Sequence, residues 1–200
     1  MERLQQRIES YNFFAFIFLT LPDDAFIENV LALDIPHGAE GGMKMLKTFI
    51  DASKNKDKKE LWTELSVDRT YLIRALSQDG PRPPYESVYC GGAAHETVAK
   101  LNIAYSKLGY AVSEGAHEPS DYIGIEMGFM KELCQRELAA DNAEIAQEMH
   151  GMQKVFFHEH LGRWGAELGN EFVMLAKTDF YKAVGQILKD FIEEEQALFA

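Results

Sequence analysis

The sequence predicts an all-α protein, with residues 1–200 forming a single globular helical domain of roughly eight to ten helices. Apolar residues recur at helical spacing along most of the chain, and no segment shows the strict alternation of a half-buried strand. Proline and glycine separate these periodic segments at intervals typical of helix connections. With 46% hydrophobic and 26% charged residues, the chain can bury a substantial core.

The first part of the chain predicts four helices. The first is closed by Pro22, and Asp23 or Asp24 can cap the second. In the fourth, Leu61, Leu65 and Leu72 recur on one helical face. The expected ranges are 2–19, 24–33, 43–52 and 60–76.

Residues 78–92 are the most irregular stretch of the sequence. Four of the residues from Gln78 to Tyr85 are glycine or proline, which excludes a continuous helix there. We therefore expect a hinge or a binding loop.

The second half again predicts helices separated by short loops. A helix over 93–108 should end at Gly109, a suitable C-terminal cap. Glu118 or Ser120 can cap the next helix, with Pro119 at its start. Residues 141–166 predict one or two helices with weak points at the glycines 151 and 162, and the segment from 171 onwards predicts a helix with a soft break near residue 179 or 185.

Charge and cysteine content exclude several classes of function. The formal net charge is −12, from 32 acidic and 20 basic residues. This balance disfavours nucleic-acid binding, which depends on Lys and Arg, and it attracts cationic partners. Cys90 and Cys134 match no zinc or dithiol spacing, so we expect reduced thiols.

The N-terminal apolar run, residues 11–19, is about half as long as a membrane span. It is preceded by charged residues and followed by Pro22-Asp23-Asp24, without a small-residue cleavage site. We therefore expect a first core helix rather than a signal peptide, no stable membrane insertion, and a cytoplasmic protein.

Catalytic and metal-binding patterns do not assemble in the sequence. A di-iron bundle needs Glu-x-x-His on two helices, whereas the pattern occurs here once, from Glu114 to His117 in a predicted loop. His158 and His160 are two positions apart and would point to different helix faces. Nucleophile elbows and phosphate-binding loops are also missing. We predict no catalytic residue, no metal and no cofactor.

Aromatic residues beside irregular backbone are the remaining functional signal. Tyr85 and Tyr89 follow a double proline, and Tyr122 comes after Asp121 at an expected helix start. Such side chains suit a groove for an apolar peptide, with acidic residues attracting its basic end. Taken alone, each tyrosine is better explained by core packing or by a role as a loop anchor.

Three segments together resemble the TorD/DmsD/NarJ family of redox-enzyme maturation chaperones. Residues 83–89, PPYESVY, resemble the family's PPxxSV followed by an aromatic residue. Residues 118–130, EPSDYIGIEMGFM, are similar to its E-x-P-x-D-H-x-x-x-E signature with the hydrophobic-x-F-M ending, and residues 160–164, HLGRW, to its H-L-x-x-W helix. The segments occur in the family's order, and the resemblance extends from about Leu61 to the C-terminus.

The resemblance implies a non-enzymatic, TorD-like cytoplasmic chaperone. Its partner would be the twin-arginine leader, the apo form, or both, of a molybdopterin-containing oxidoreductase of the dimethyl sulfoxide reductase class, held until cofactor insertion and assembly or export. The positions that match the family's leader-binding region are Leu72, Tyr85, Tyr89, Asp121 and Tyr122. The chaperone would be a monomer or a domain-swapped homodimer.

Two departures limit what the resemblance transfers. Tyr122 stands where many relatives have histidine, and Leu72-Ile73-Arg74-Ala75 replaces a leucine-phenylalanine-x-glycine pattern. Partner specificity is therefore not carried over. The alternative hypotheses are a helical enzyme that depends on a metal or small molecule, and a regulatory peptide-binding module unrelated to export.

Overall fold

A computed structural model describes residues 1–74, 80–111 and 118–200, and within these ranges the protein is helical with no strand. The only extended pairing there is an isolated antiparallel bridge between Tyr85 and Tyr122. The all-α prediction is confirmed. In chain order the helices are α1 Glu2–Leu19, α2 Asp24–Leu31, α3 Gly41–Ser53, α4 Lys58–Ile73, α5 Glu86–Cys90, α6 Ala94–Ser106, α7 Ile123–Leu138, α8 Ala143–Glu159, α9 Gly165–Leu175 and α10 Asp179–Phe199, with a 3-10 turn Leu161–Arg163 between α8 and α9.

Several helix boundaries follow directly from capping residues. Helix α1 has the predicted limits, and Asp23 caps α2 by accepting a hydrogen bond from the Phe26 N–H. Asp57 caps α4 in the same way through the N–H groups of Lys59 and Glu60, so that helix begins two residues before the predicted start. Gly109 has a positive φ of 62°, as expected of a glycine that ends a helix.

The Pro-rich segment and the start of α7 differ from the prediction. A short helix, α5, forms directly after the prolines, where we expected only a hinge or loop; residues 78 and 79 of that segment lie outside the described ranges. Helix α7 begins at Ile123 rather than beside Pro119, and its N-cap Tyr122 provides no side-chain cap. The cause is the bridge to Tyr85, which holds Tyr122 in an extended conformation.

The predicted helix breaks are confirmed in part. Helix α8 continues through Gly151, whereas Gly162 lies in the 3-10 turn that separates α8 from α9. Of the two positions predicted for the last break, 179 is correct and 185 is wrong, because α9 ends at Leu175, α10 begins at Asp179 and Gly185 lies inside α10. At this break the buried Asp68 side chain accepts hydrogen bonds from the N–H groups of Lys177 and Thr178 and from the Thr178 hydroxyl. These bonds satisfy backbone donors that precede α10.

The chain divides into two compact units. Unit 1 comprises Met1–Leu19, Pro84–Trp164 and Leu198–Ala200, and unit 2 comprises Thr20–Pro83 and Gly165–Ala197. The single-domain arrangement therefore stays a prediction. In unit 1, ten of the sixteen residues of α7 are buried, and this helix packs against α1 and α8. At Gly124 an added Cβ would lie 2.8 Å from the Leu19 Cγ, so glycine allows α7 to approach the end of α1 closely.

Unit 2 has its own aromatic core. Phe180 of α10 packs against Phe26 of α2 and Phe49 of α3, with ring centroids 6.0 and 5.4 Å apart. Helices α9 and α10 cross closely at two glycines: a Cβ at Gly185 would lie 2.7 Å from the Gly169 carbonyl oxygen. A helix contact this close is possible only without a side chain at the crossing.

In the described part of the chain, every helix is too short or too polar to cross a bilayer.

The two helical glycines, Gly185 and Gly151, should respond oppositely to alanine. At Gly185 the new Cβ would lie 2.6 Å from the Phe172 Cβ, so Gly185→Ala should lower the free energy of unfolding by about 1–3 kcal/mol. Gly151 has open space around the same position, so Gly151→Ala should raise it by about 0.5–1 kcal/mol through helix propensity. Urea denaturation of both variants measures the difference. Equal effects at the two positions would contradict the close α9–α10 crossing.

Candidate binding site

The first feature of the candidate site is the bridge between the Pro-rich segment and the start of α7. The Glu86 N–H donates to the Asp121 carbonyl at 2.9 Å, and the Ile123 N–H donates to the Pro84 carbonyl at 3.1 Å. The Asp121 carboxylate, only 2% exposed, accepts from the Ser87 hydroxyl at 2.6 Å and from the Ser87 N–H at 3.3 Å. Two segments separated by more than thirty residues are thus fixed edge to edge.

Tyr85 and Tyr122 face each other across this bridge, with ring centroids 5.5 Å apart. Tyr122 is fully buried, and its hydroxyl donates to the Phe18 carbonyl at 2.9 Å. Tyr85 is half-buried, and its hydroxyl donates to the Glu118 carboxylate at 2.6 Å. Of this pair, Tyr85 is the residue that a partner can reach.

The other two predicted site residues lie in different surroundings. Tyr89 is half-buried on α5 and packs against the buried Trp164 with ring centroids 5.2 Å apart. Leu72 belongs to α4 of unit 2, where its side chain is fully buried. The structure thus brings together Tyr85, Asp121 and Tyr122. The assignment of all five residues to peptide binding stays a prediction.

Buried acidic residues lie beneath this bridge. The Glu86 side chain, in a residue that is 3% exposed, has a carboxylate oxygen 2.8 Å from the His160 Nδ1 and another 3.5 Å from the Arg163 Nη1. A carboxylate can be buried this deeply because basic groups and hydrogen bonds offset the loss of water. These contacts join α5 to the 3-10 turn and to the residue before it.

Glu126 is a second buried acid, with no exposed surface. Burial raises the pKa of Glu126 well above its ordinary value, and the neighbouring Glu86 charge raises it further. The Trp164 indole N–H lowers the pKa of Glu126 only in part, and it does not reach hydrogen-bond geometry with that carboxyl. The protonated form of Glu126 is therefore favoured in the folded protein.

Sequence reasoning did not assign a role to Glu86, Glu126 or His160. All three lie inside the motif segments quoted above, and Glu126 is an acid within an otherwise apolar helical run. An acidic residue in such a run is the signal that could have identified the buried cluster, because carboxylates are rarely buried without a specific environment.

The described residues contain no group of three or more His, Cys, Asp and Glu side chains placed to hold a metal ion. His158 and His160 have separate partners, the Phe199 carbonyl at 3.1 Å and the Glu86 carboxylate. The Glu114 to His117 pattern lies outside the residues that the structure describes.

Replacing Glu126 with glutamine should change how stability depends on pH. Because the pKa of Glu126 is raised in the folded state, its contribution to stability is complete below the unfolded pKa of about 4.3 and is lost as the pH rises toward the folded value. Glu126→Gln removes this loss. The variant should gain up to about 1.4 kcal/mol over the wild type for each pH unit across that window.

Denaturant unfolding at pH values from 4 to 8 measures this difference. Glu144→Gln, a change at an exposed acid of α8, is the control and should follow the wild type. Parallel pH profiles for wild type and Glu126→Gln would show that the Glu126 carboxyl titrates normally.

The fold and the site together indicate a binding protein. The described part of the chain consists of packed helices, and its buried polar side chains contact one another. Its half-buried aromatic side chains lie at a loop that hydrogen bonds hold in place. Such an arrangement is suited to binding. The family model described as nitrate reductase delta subunit matches residues 34–169, and the chain belongs to this family.

Individual relatives agree with this assignment. The chain is 22% identical to the chaperone protein TorD of Vibrio parahaemolyticus over 203 residues, which cover 96% of this chain and 94% of that protein. It is 25% identical over 150 residues to the TorD chaperone of Vibrio atlanticus, covering 73% of this chain and 69% of the relative. For the TorD chaperone of Photobacterium profundum the identity is 24% over 160 residues, covering 76% and 74%.

These findings confirm the resemblance to TorD-like chaperones that the three sequence motifs predicted. The prediction of a non-enzymatic protein is confirmed by the same relatives, which are chaperones by name. The bridge joins two of the three motifs, and the Glu86–His160 pair joins the third to them.

Proposed function

We propose that this protein is a cytoplasmic chaperone for a molybdopterin-containing oxidoreductase of the dimethyl sulfoxide reductase class. It binds the enzyme's twin-arginine leader, its apo form, or both, and holds them until the cofactor is inserted and assembly or export follows. The observation that carries the proposal is the bridged pair of motif segments, which fixes half-buried aromatic side chains beside acidic ones.

The chemistry of such a partner matches an acidic protein with accessible aromatic side chains. A leader of this kind has an apolar core, which gains free energy when it leaves water against aromatic side chains. Its two arginines favour acidic surroundings, and the net charge of −12 raises the rate of encounter with a cationic segment. Glu118 places a carboxylate next to the Tyr85 hydroxyl.

The predicted site residues divide into three roles under this proposal. Tyr85 and Tyr89 are half-buried and contact the partner. Asp121 and Tyr122 are buried and act as positioning residues, because they hold the Pro-rich segment against α7. Leu72 acts from within the core of unit 2, where it supports α4.

The direct test is affinity purification of the full chain from its native cell, with identification of the co-purifying proteins by mass spectrometry. We expect enrichment of a molybdopterin-containing catalytic subunit that is lost when its leader is deleted. Enrichment that survives deletion would point to the body of the enzyme as the bound part. Capture of no such subunit would refute the proposal.

Tyr85→Ala should weaken binding of the captured client by about 1–3 kcal/mol, since truncating an aromatic residue at the centre of an interface removes buried contacts. Asp121→Ala should weaken it within the same range by releasing the segment that Ser87 anchors. Isothermal titration with the purified client measures both effects.

Tyr71→Ala is a matched control for these variants, because Tyr71 is also half-buried but lies on α4 of unit 2. It should leave the affinity unchanged. Circular dichroism establishes that each variant is folded. Unchanged affinity in folded Tyr85→Ala and Asp121→Ala would remove these two residues from the binding site.

A further inference from the structure

A concave surface of unit 1, which we call the α6–α8 groove, contains none of the five predicted peptide-binding residues, although His160 of the buried cluster also lines it. Its volume is about 440 Å³. Ala104 and Lys107 of α6 line one side, and Gly151 and Val155 of α8 line the other. Phe129 and Phe156 form its floor, with ring centroids 4.7 Å apart.

The groove exposes apolar surface that a folded protein ordinarily covers. Val155 is 55% exposed although it stands above the two buried floor aromatics, Phe129 and Phe156. At Gly151 a Cβ would have no atom within 4 Å, so the wall there is open. An apolar side chain of a partner would find buried aromatic surface beneath it and aliphatic surface beside it.

Acidic residues stand at both ends of the α8 wall. Glu148 and Glu159 line the groove eleven positions apart, a distance of about 16 Å along a helix. Neither carboxylate has an ion-pair partner within the described ranges. The length corresponds to about three turns of a bound helix.

The two ends of the groove differ in charge. Lys107 lines both this groove and an adjoining polar one that shares Glu159, so this cation lies toward the Glu159 end. Glu148 has no cation beside it in the groove lining, and Glu144 lies one helical turn before it. A basic group is therefore favoured at the Glu148 end.

We propose that the α6–α8 groove binds the apolar core of the partner's leader as a short helix, with the arginine pair at the Glu148 end. An amphipathic or apolar helix that lies in a hydrophobic groove is a common mode of peptide recognition. This inference rests on the proposed function and specifies where the leader's apolar core is held. The Tyr85 and Tyr89 surface is then a second contact, which binds the apo form of the enzyme rather than the leader's apolar core.

The test uses the full chain and a fluorescent synthetic peptide that carries two adjacent arginines followed by ten leucine and alanine residues. Fluorescence anisotropy measures its binding. Val155→Arg places a charge in the apolar wall, and Gly151→Trp adds a bulky side chain at a position where a Cβ has no atom within 4 Å. Each should weaken binding at least tenfold. Val67→Arg, at an equally exposed valine of α4, is the matched control and should bind as the wild type does.

The orientation has its own test. Glu148→Gln should weaken binding several-fold at low salt and flatten the salt dependence, because one charge pair is lost. A second peptide in which glutamines replace the arginines should bind the wild type and Glu148→Gln equally. If Glu148→Gln does not change the affinity for the arginine peptide, the proposed orientation is wrong.

The outcomes separate this inference from the proposed function. Undiminished peptide binding by folded Val155→Arg and Gly151→Trp would overturn the groove assignment and leave the chaperone role intact. Loss of binding with Val67→Arg alone would also overturn it and move the site to α4. If the peptide binds in the groove but affinity purification captures no molybdopterin-containing subunit, the proposed function fails and the groove assignment stands. Failure of the wild type to bind the peptide would overturn the groove assignment.

Discussion

The arrangement of unit 1 depends on two backbone hydrogen bonds, one from Glu86 to Asp121 and one from Ile123 to Pro84. A proline-rich segment cannot satisfy its carbonyls within a helix, so it needs donors from elsewhere in the chain. The stretch before α7 supplies one donor and accepts one in return. Once these bonds form, Glu86 is held beneath the loop, where it pairs with His160 and orders the 3-10 turn that leads to Trp164.

Acidic side chains are buried beneath the bridge. Their contacts fix the local geometry, but their removal from water costs free energy. Asp121 is compensated by a hydrogen bond from Ser87, and Glu86 by its contact with His160. Glu126 has no comparable partner within the described chain, and it is accommodated by favouring the neutral form. In unit 2 the buried Asp68 is also compensated, because it accepts hydrogen bonds from the residues before α10.

The sequence predicted the structural features that depend on interactions between neighbouring residues. Helix α1, the Asp23 cap and the glycine at 109 each depend on residues a few positions apart. The start of α7 could not be predicted in this way. Glu118 or Ser120 offers a good local cap, but the pairing with a segment more than thirty residues earlier overrides it. The alternative break predicted at Gly185 was wrong for a related reason. A glycine within a helix indicates either a break or a close helix crossing, and only the packing against α9 distinguishes the two.

The candidate site shows the same division. The motifs identified the segments that meet at the bridge, and Tyr85, Asp121 and Tyr122 do lie together. The α6–α8 groove was not predicted, because its floor and walls come from three helices whose apolar residues look like ordinary core positions in sequence. Motif residues such as Asp121 and Tyr122 are largely buried and build a frame, whereas Val155 and Glu148 are exposed and lie outside the motifs. Family membership therefore specifies the buried motif residues. The exposed wall of α8 can change without disturbing those residues, so client specificity can vary there.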